Sequence, residues 1–304
     1  MTTLGIYEKA LPKNITWRER FELAKKLGFD YVEMSIDETD GRLLRLDWTN
    51  EEILQVVKDM HETGISIYSI CLSGHRRFPF GSKDAKIRET ALQIMEKAID
   101  LAHKLGVRNI QLAGYDVYYE DKTVSSRNYF IENLKIGVAM AASKNVTLSI
   151  EIMDDPFMCS ITKFLKIKEQ IPSPWLQVYP DIGNLSAWAE NDIAYELEKG
   201  INSIVAVHLK DTLAVTDDFG GKFKGVDFGA GCVDFAGCLS TLKRLDYSGP
   251  FLIEMWSEVS DTPEVEIQKA KDFLLPLLKE AGFDVERKDS KFKGTSISSK
   301  LSPA

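Results

Sequence analysis

The strongest constraint on the fold of this 304-residue chain is a strict alternation of β-rich runs with longer helical stretches. The β-rich runs cover residues 3–7, 31–36, 65–71, 109–113, 147–153, 176–181, 203–209 and 251–255. The helical stretches cover residues 17–27, 50–62, 84–105, 125–144, 160–170, 191–200, 235–245 and 262–281. Repeated β–α units require parallel strands with crossover helices, and eight such units close into a barrel. We therefore predict one α/β domain, a (β/α)8 TIM barrel, over residues 1–282.

An open, doubly wound sheet is the alternative arrangement of alternating strands and helices. Its dinucleotide-binding form carries a GxGxxG turn after the first strand, and that spacing is absent here. Beyond the barrel, Lys, Ser, Gly, Thr and Pro replace the apolar periodicity, and residues 283–304 are therefore interpreted as a polar tail.

Charge and apolar patterning exclude several classes of function. The formal net charge is −8, whereas a nucleic-acid binder usually presents a basic surface to the phosphates. No apolar run approaches the roughly 18 residues of a membrane span, and the N-terminus does not read as a secretory signal peptide. The four cysteines form no CxxC pair. We therefore expect a soluble, cytoplasmic protein with reduced thiols and neither a nucleic-acid nor a membrane partner.

Four ionisable residues lie at the ends of the last four predicted strands, namely Glu151, Asp181, His208 and Glu254. In a barrel of this type the active site is built at the C-terminal ends of the strands. An acid in an apolar strand costs several kcal/mol unless it is paired or metal-bound. Three carboxylates and an imidazole suit one divalent ion, either Mn²⁺, Co²⁺, Zn²⁺ or Mg²⁺. Lys210 is expected to point away from His208 and is left out of this metal set.

The chain resembles the xylose-isomerase-like barrel superfamily and, within it, the bacterial L-xylulose-5-phosphate / L-ribulose-5-phosphate 3-epimerases. The resemblance covers residues 4–282, and the tail lies outside it. The segments that carry it are YVEMSIDE at 31–38, CLSGHRRFPFGS at 71–82, YPDIGNLSAW at 179–188, VHLKDT at 207–212 and FGAGCVD at 228–234.

This resemblance implies a metal-dependent 3-epimerase that interconverts L-xylulose 5-phosphate and L-ribulose 5-phosphate in bacterial pentose or L-ascorbate degradation. It also implies that Glu151, Asp181, His208 and Glu254 bind the metal, with the two glutamates acting as acid and base. Inverting C3 of a ketose requires removal of a proton next to the C2 carbonyl and its return on the opposite face of an enediolate. A metal stabilises that charge, and two carboxylates divide the proton transfers. Barrels of this kind are often dimers, and a homodimer is left open.

Further residues are candidates for binding the phosphorylated sugar. Asn184 is expected to polarise the carbonyl end of the substrate, since an amide donates a hydrogen bond but does not titrate. Glu33 is expected either to bind a sugar hydroxyl or to orient a site residue. The candidates for the phosphate are the cationic cluster after the third strand and two backbone N–H groups after the seventh, namely His75, Arg76, Arg77, Gly229 and Gly231.

Three other functions remain open from the sequence. The first is an aldose–ketose isomerase of the same superfamily, which moves a proton between adjacent carbons. The second is a 3-epimerase of free ketohexoses, although the arginine cluster favours a phosphorylated substrate. The third is a sugar-binding barrel without catalysis. An apurinic endonuclease needs a histidine-rich zinc site, whereas this chain has four histidines in all.

Overall fold

The computed structural model describes residues 2–285, which form a single eight-stranded parallel sheet in the order β6-β5-β4-β3-β2-β1-β8-β7. The strands are β1 (Leu4–Tyr7), β2 (Tyr31–Ile36), β3 (Ser66–Leu72), β4 (Asn109–Ala113), β5 (Thr147–Glu151), β6 (Leu176–Tyr179), β7 (Val207–Leu209) and β8 (Phe251–Ile253). Isolated parallel bridges between the chain around β6 and that around β7, one of them pairing Asp181 with His208, bring the two sheet edges together. The predicted barrel is therefore confirmed.

The helices surround this barrel, and most of them begin at a residue whose side chain accepts a hydrogen bond from the first turn. They are α1 (Trp17–Lys26), α2 (Asp40–Leu43), α3 (Asn50–Thr63), α4 (Ala85–Leu105), α5 (Val124–Ser143), α6 (Ile161–Gln170), α7 (Ile182–Ser186), α8 (Ile193–Gly200), α9 (Phe235–Arg244) and α10 (Pro263–Glu280). Capping boxes at Thr16 and Thr49 start α1 and α3, and left-handed Gly64 and Gly106 end α3 and α4. The short helices α2 and α7 were not predicted.

The barrel core is made of apolar strands that are buried on both faces. This is the pattern that parallel strands covered by helices require, and residues such as Ile6, Val32 and Ile150 are fully buried. Polar residues that are equally buried stand out against this background, and they include Glu33, Asp181 and His208. The cost of burying them points to the C-terminal ends of the strands as the functional part of the molecule.

The four strands β5 to β8 are at least two residues shorter than their sequence patterns predicted, and the reasons are visible for β6 and β7. The strand β6 ends at Tyr179 because Pro180 has no N–H for the ladder and Asp181 already caps α7. Before β7, residues 201–203 form a 3-10 turn and Ile204 makes only an isolated bridge to Val178, so the strand itself begins at Val207. Both changes leave the functional residues at the same end of the barrel.

The C-terminal helix α10 leads into a short packed segment. Phe283, in the first part of the predicted tail, packs edge-to-face against Phe251 with ring centroids 5.0 Å apart, and Val285 is buried. The rest of the predicted tail, residues 286–304, lies outside the described residues. Within residues 2–285, no helix has both the length and the apolar character needed to cross a membrane.

Candidate metal centre and active site

The four candidate ligands meet at the C-terminal end of the barrel. Glu151 is the last residue of β5, Asp181 is the N-cap of α7, His208 lies within β7, and Glu254 directly follows β8. One ligand atom from each lies within 4.8 Å of the others, and all four residues are buried. The four residues predicted at successive strand ends therefore lie together in one compact cluster.

Glu33 holds His208 from behind. The Glu33 carboxylate accepts a hydrogen bond from His208 Nε2 at 2.9 Å, and Ser69 Oγ donates to its other oxygen. With Nε2 engaged in this way, the other ring nitrogen, Nδ1, faces the centre, 3.3 Å from Glu151 Oε1 and 3.7 Å from both Asp181 Oδ2 and Glu254 Oε2. Of the two roles expected for Glu33, the geometry matches the orienting one, which carboxylates commonly perform for metal-binding histidines.

The donor set fits a divalent cation. His208 Nδ1, Asp181 Oδ2 and Glu254 Oε2 are all buried and have no hydrogen-bond partner among the described residues. Buried polar atoms in this state are costly, and here they converge on one point. Three carboxylates and one imidazole form a donor set that Mn²⁺, Co²⁺, Zn²⁺ and Mg²⁺ accept to different degrees.

Lys210 belongs to this centre, and the expectation that it points away was wrong. Its Nζ lies 2.8 Å from Asp181 Oδ2 and 2.9 Å from Glu254 Oε2. Side chains alternate along a strand, so residues two apart share a face, and Lys210 therefore follows the direction of His208. The two-residue spacing between His208 and Lys210 is the sequence signal that predicts this position for Lys210.

The electrostatics of the centre favour positive charge. Burial alone would lower the pKa of His208, but Glu33 and Glu254 raise it well above its ordinary value. Burial raises the pKa of Glu254 to about 8, with Lys210 and His208 opposing the rise and Glu151 and Asp181 adding to it. These two shifts reduce the net negative charge of the buried cluster. Burial would also raise the pKa of Asp181, but Lys210 and His208 hold it below its ordinary value, so this carboxylate stays ionised.

A narrow cavity opens onto the centre. Glu151, Glu254 and Lys210 form its floor, and the aromatic rings of Tyr7 and Trp256, with centroids 6.1 Å apart, form part of its wall. The wall also includes four residues that carry cationic, amide or further aromatic groups, namely Arg76, Asn184, Phe223 and Lys224. Two of these, Phe223 and Lys224, come from the long connection after β7.

Comparison with known proteins identifies the family. The model of the xylose isomerase-like TIM barrel family matches residues 21–277. A Haemophilus influenzae protein named putative L-ribulose-5-phosphate 3-epimerase SgbU is 55% identical over 279 residues, or 92% of this chain and 97% of that protein. L-ribulose-5-phosphate 3-epimerase UlaE of Escherichia coli is 54% identical and covers 92% and 96% of the two chains. This chain belongs to the L-ribulose-5-phosphate 3-epimerase family of xylose isomerase-like barrels.

Solved structures share the fold at lower identity. A structure of L-ribulose 3-epimerase superposes with a TM-score of 0.72 at 19% identity, covering 92% of this chain and 96% of that one. The IOLI protein with a bound zinc atom gives a TM-score of 0.73 at 17% identity, covering 92% and 99%. At these identities the likeness establishes the barrel and nothing finer.

In this member of the epimerase family, the cationic cluster after β3 does not act as a unit. Arg76 lines the cavity, with its guanidinium 5.4 Å from the ring centroid of Tyr115. Arg77 is exposed and pairs with Asp40 at 2.6 Å. His75 is buried, and its Nε2 lies 3.1 Å from the Ala91 carbonyl. Residues 74–76 form a 3-10 turn, in which successive side chains project about 120° apart, and of the three residues only Arg76 lines the cavity.

The buried His75 gives the family member a pH-dependent stability. Burial lowers the pKa of His75 from 6.5 to about 4. The unfolded chain therefore binds a proton that the folded protein excludes, and stability falls as the pH drops from about 6.5 to about 4, by up to about 3 kcal/mol. Urea unfolding across this range should show a smaller loss for His75→Gln, which does not titrate. Parallel pH profiles for both proteins would contradict the assignment.

The expectation that Gly229 and Gly231 offer free N–H groups to a phosphate was wrong. Both backbone N–H groups donate to Asp211 Oδ2, at 2.8 and 2.9 Å. A Cβ on Gly231 would lie 2.0 Å from Asp211 Oδ1, so glycine is required here by the close approach of a carboxylate. A side-chain anion already occupies the position that the sequence pattern suggested for a phosphate.

Asn184 lines the cavity, and one of the two N–H donors of its side-chain amide is already engaged. Its Nδ2 donates to the Ile152 carbonyl at 2.8 Å, and its backbone N–H donates to Asp181 Oδ1 at 2.7 Å. Its carbonyl oxygen is buried and has no hydrogen-bond partner among residues 2–285. The amide is therefore held rigidly, with an oxygen free to accept a hydrogen bond from a substrate hydroxyl.

Proposed function

We propose that this protein is a metal-dependent L-ribulose-5-phosphate 3-epimerase, an isomerase that interconverts L-ribulose 5-phosphate and L-xylulose 5-phosphate. The observation that carries this proposal is the position of Glu151 and Glu254. They come from β5 and β8, which are separated by β6 and β7 around the barrel, yet they face one cavity at a centre suited to a divalent ion. Epimerisation needs this arrangement of two proton-transfer groups around one carbon.

Each glutamate handles one face of the substrate. One carboxylate takes the proton from C3, which is acidified by the neighbouring C2 carbonyl, and the other returns a proton from the opposite face. A divalent ion held by Glu151, Asp181, His208 and Glu254 supplies Lewis-acid stabilisation of the negative charge on the sugar oxygens. The choice among Mn²⁺, Co²⁺, Zn²⁺ and Mg²⁺ depends on availability as well as on these ligands.

The phosphate end of the substrate is assigned to Arg76. Its guanidinium lies 5.4 Å from the Tyr115 ring and 5.3 Å from the Tyr118 ring, and its Nε is buried without a hydrogen-bond partner among the described residues. Lys9 and Lys224 line the same cavity and add positive charge. A planar guanidinium held between aromatic rings is well suited to a phosphate monoester.

Replacing Arg76 by Met should therefore separate phosphorylated from free sugars. We expect kcat/KM for L-ribulose 5-phosphate to fall about tenfold or more, because a charge-assisted hydrogen bond is lost. The value for free L-ribulose should change little. Arg77→Met is the matched control, since Arg77 pairs with Asp40 outside the cavity. Equal losses on both sugars would rule out a phosphate role for Arg76.

The reaction itself is tested by proton NMR in D₂O, with L-xylulose 5-phosphate and a diamagnetic ion such as Mg²⁺ or Zn²⁺. The proposal requires metal-dependent loss of the C3 proton signal and formation of a second ketose phosphate. Exchange at C1 with an aldose product would identify an aldose–ketose isomerase. Turnover of free ketohexoses in preference to the phosphates would identify a free-sugar epimerase. Binding without any exchange would identify a sugar-binding barrel.

The cellular setting belongs to the same proposal. The cysteines Cys71, Cys159, Cys232 and Cys238 are all unpaired, which suits a reducing cytoplasm. The relatives' printed name, L-ribulose-5-phosphate 3-epimerase, supports a role in pentose phosphate metabolism, and a place in L-ascorbate degradation stays a prediction. A homodimer stays a prediction.

A further inference from the structure

Lys210 binds the same oxygens that a metal ion would use. Its ammonium lies 2.8 Å from Asp181 Oδ2 and 2.9 Å from Glu254 Oε2, and its side chain is only 7% exposed. Both oxygens belong to the buried cluster of candidate ligands, and both lie 3.7 Å from His208 Nδ1. The Lys210 ammonium and a divalent ion would therefore bind the same two carboxylate oxygens at the same place.

The contact is an ion pair without good hydrogen-bond geometry. Despite the short distances, neither Asp181 Oδ2 nor Glu254 Oε2 has a hydrogen-bond partner in the described part of the chain. The ammonium thus supplies charge to the carboxylates but leaves their lone pairs poorly satisfied. A divalent ion supplies more charge and direct coordination, so it can displace the ammonium from these oxygens.

The buried negative charge of the centre explains why a lysine lies beside it. The four carboxylates of Glu33, Glu151, Asp181 and Glu254 are buried together, and packed carboxylates repel one another strongly at low dielectric. Among residues 2–285, Lys210 is the lysine that forms ion pairs within this group, with Asp181 and Glu254. It also lies 5.4 Å from the ring centroid of Trp256, on the cavity wall, and this aromatic face can hold an ammonium that leaves the carboxylates.

We propose that Lys210 is the resident counter-cation of the metal-free centre, which releases Asp181 and Glu254 when the divalent ion binds. Lys210 thereby competes with the ion and sets the affinity of the centre for it. Once released, the ammonium remains in the cavity, where it can donate a hydrogen bond to a sugar oxygen. This inference rests on the proposed metal site.

The first test is a thermodynamic cycle with Lys210→Met, a neutral side chain of similar length. We expect the variant to bind Mn²⁺ about tenfold more tightly in calorimetry, because the competing ion pair is gone. Its metal-free form should melt at a lower temperature than wild type, whereas the two Mn²⁺-saturated proteins should melt together. Lys224→Met is the matched control, because Lys224 lies 5.3 Å from the same Trp256 ring. Within residues 2–285 its ammonium forms no ion pair with the four carboxylates, unlike that of Lys210, and the Mn²⁺ affinity of this variant should stay near that of wild type.

The same experiment contains the results that would overturn the inference. A permanent ion pair would lower the melting temperature of the metal-free and Mn²⁺-saturated variants equally, and weaker Mn²⁺ binding would show that Lys210 holds the ligands in place. An unchanged affinity would also contradict competition. If wild type itself binds no Mn²⁺ or other divalent ion, then the proposed metal site fails, which is a separate outcome.

A second test uses wild-type protein and does not depend on a variant that folds. Reductive methylation with formaldehyde and a borohydride reagent modifies free lysine amines, and peptide mass spectrometry reports each lysine separately. We expect Lys210 to be methylated severalfold faster after Mn²⁺ is added, while Lys224 in the same digest serves as the internal reference. A Lys210 rate that stays constant or falls on Mn²⁺ addition would show that the ammonium is not released.

Discussion

Replacing Glu254 by Gln should reduce epimerisation by about a thousandfold, which lies within the range for loss of a general acid or base. The amide keeps the size of the side chain beside Lys210 but can neither accept the C3 proton nor return one. The same loss is expected for Glu151→Gln, since each carboxylate serves one face of the carbon. The rate of interconversion of the two ketose phosphates, followed by NMR in both directions, measures the effect.

Both glutamates are also candidate metal ligands, so loss of metal must be separated from loss of proton transfer. The variants should therefore be assayed at saturating metal, with occupancy determined by calorimetry. The two variants should also differ in deuterium exchange: the one that retains the base for a given epimer should still exchange its C3 proton without forming product. If either occupied variant kept more than about a tenth of the wild-type rate, that glutamate would not be an essential acid or base.

The barrel and its centre follow from local patterns that persist in the folded protein. Apolar runs bounded by helix caps predict strands and helices, and their strict alternation predicts the parallel barrel. Glu151, Asp181, His208 and Glu254 were identified because an ionisable residue in or beside an apolar strand is costly without a partner. Parallel strands then bring all four to one end of the barrel.

The sequence predictions that were wrong concern the direction of a side chain and the hydrogen-bond partners of residues distant in sequence. The predicted direction of Lys210 is wrong because the chain stays extended just beyond β7, so the residue two positions after His208 lies on the same face. The role of Gly229 and Gly231 depends on Asp211, whose carboxylate accepts the N–H groups of these two residues 18 and 20 positions later in the chain. No local pattern reveals that pairing. Likewise, the separation of Arg76 from His75 and Arg77 depends on a turn whose residues point in three directions.

The role of Glu33 is the part of the site that the sequence left between two alternatives, and one variant decides between them. Glu33→Gln keeps an oxygen near His208 Nε2 but removes the negative charge that fixes the imidazole with Nδ1 toward the centre. We expect affinity for Mn²⁺ to fall about 10–100-fold, as for other carboxylates behind a metal-binding histidine. The KM for the sugar phosphate at saturating Mn²⁺ should change much less.

Calorimetry with Mn²⁺ and steady-state kinetics on the same preparations make this comparison. Ser69→Ala is the graded control, because it removes the hydroxyl that donates to Glu33 but leaves the carboxylate on His208; its loss of affinity should be smaller. A large rise in KM with unchanged metal affinity would instead make Glu33 a ligand for the sugar. Glu33 and His208 are both fully buried and in direct contact. Because the imidazole lies between Glu33 and the metal centre, this carboxylate influences the reaction through the affinity of His208 for the metal.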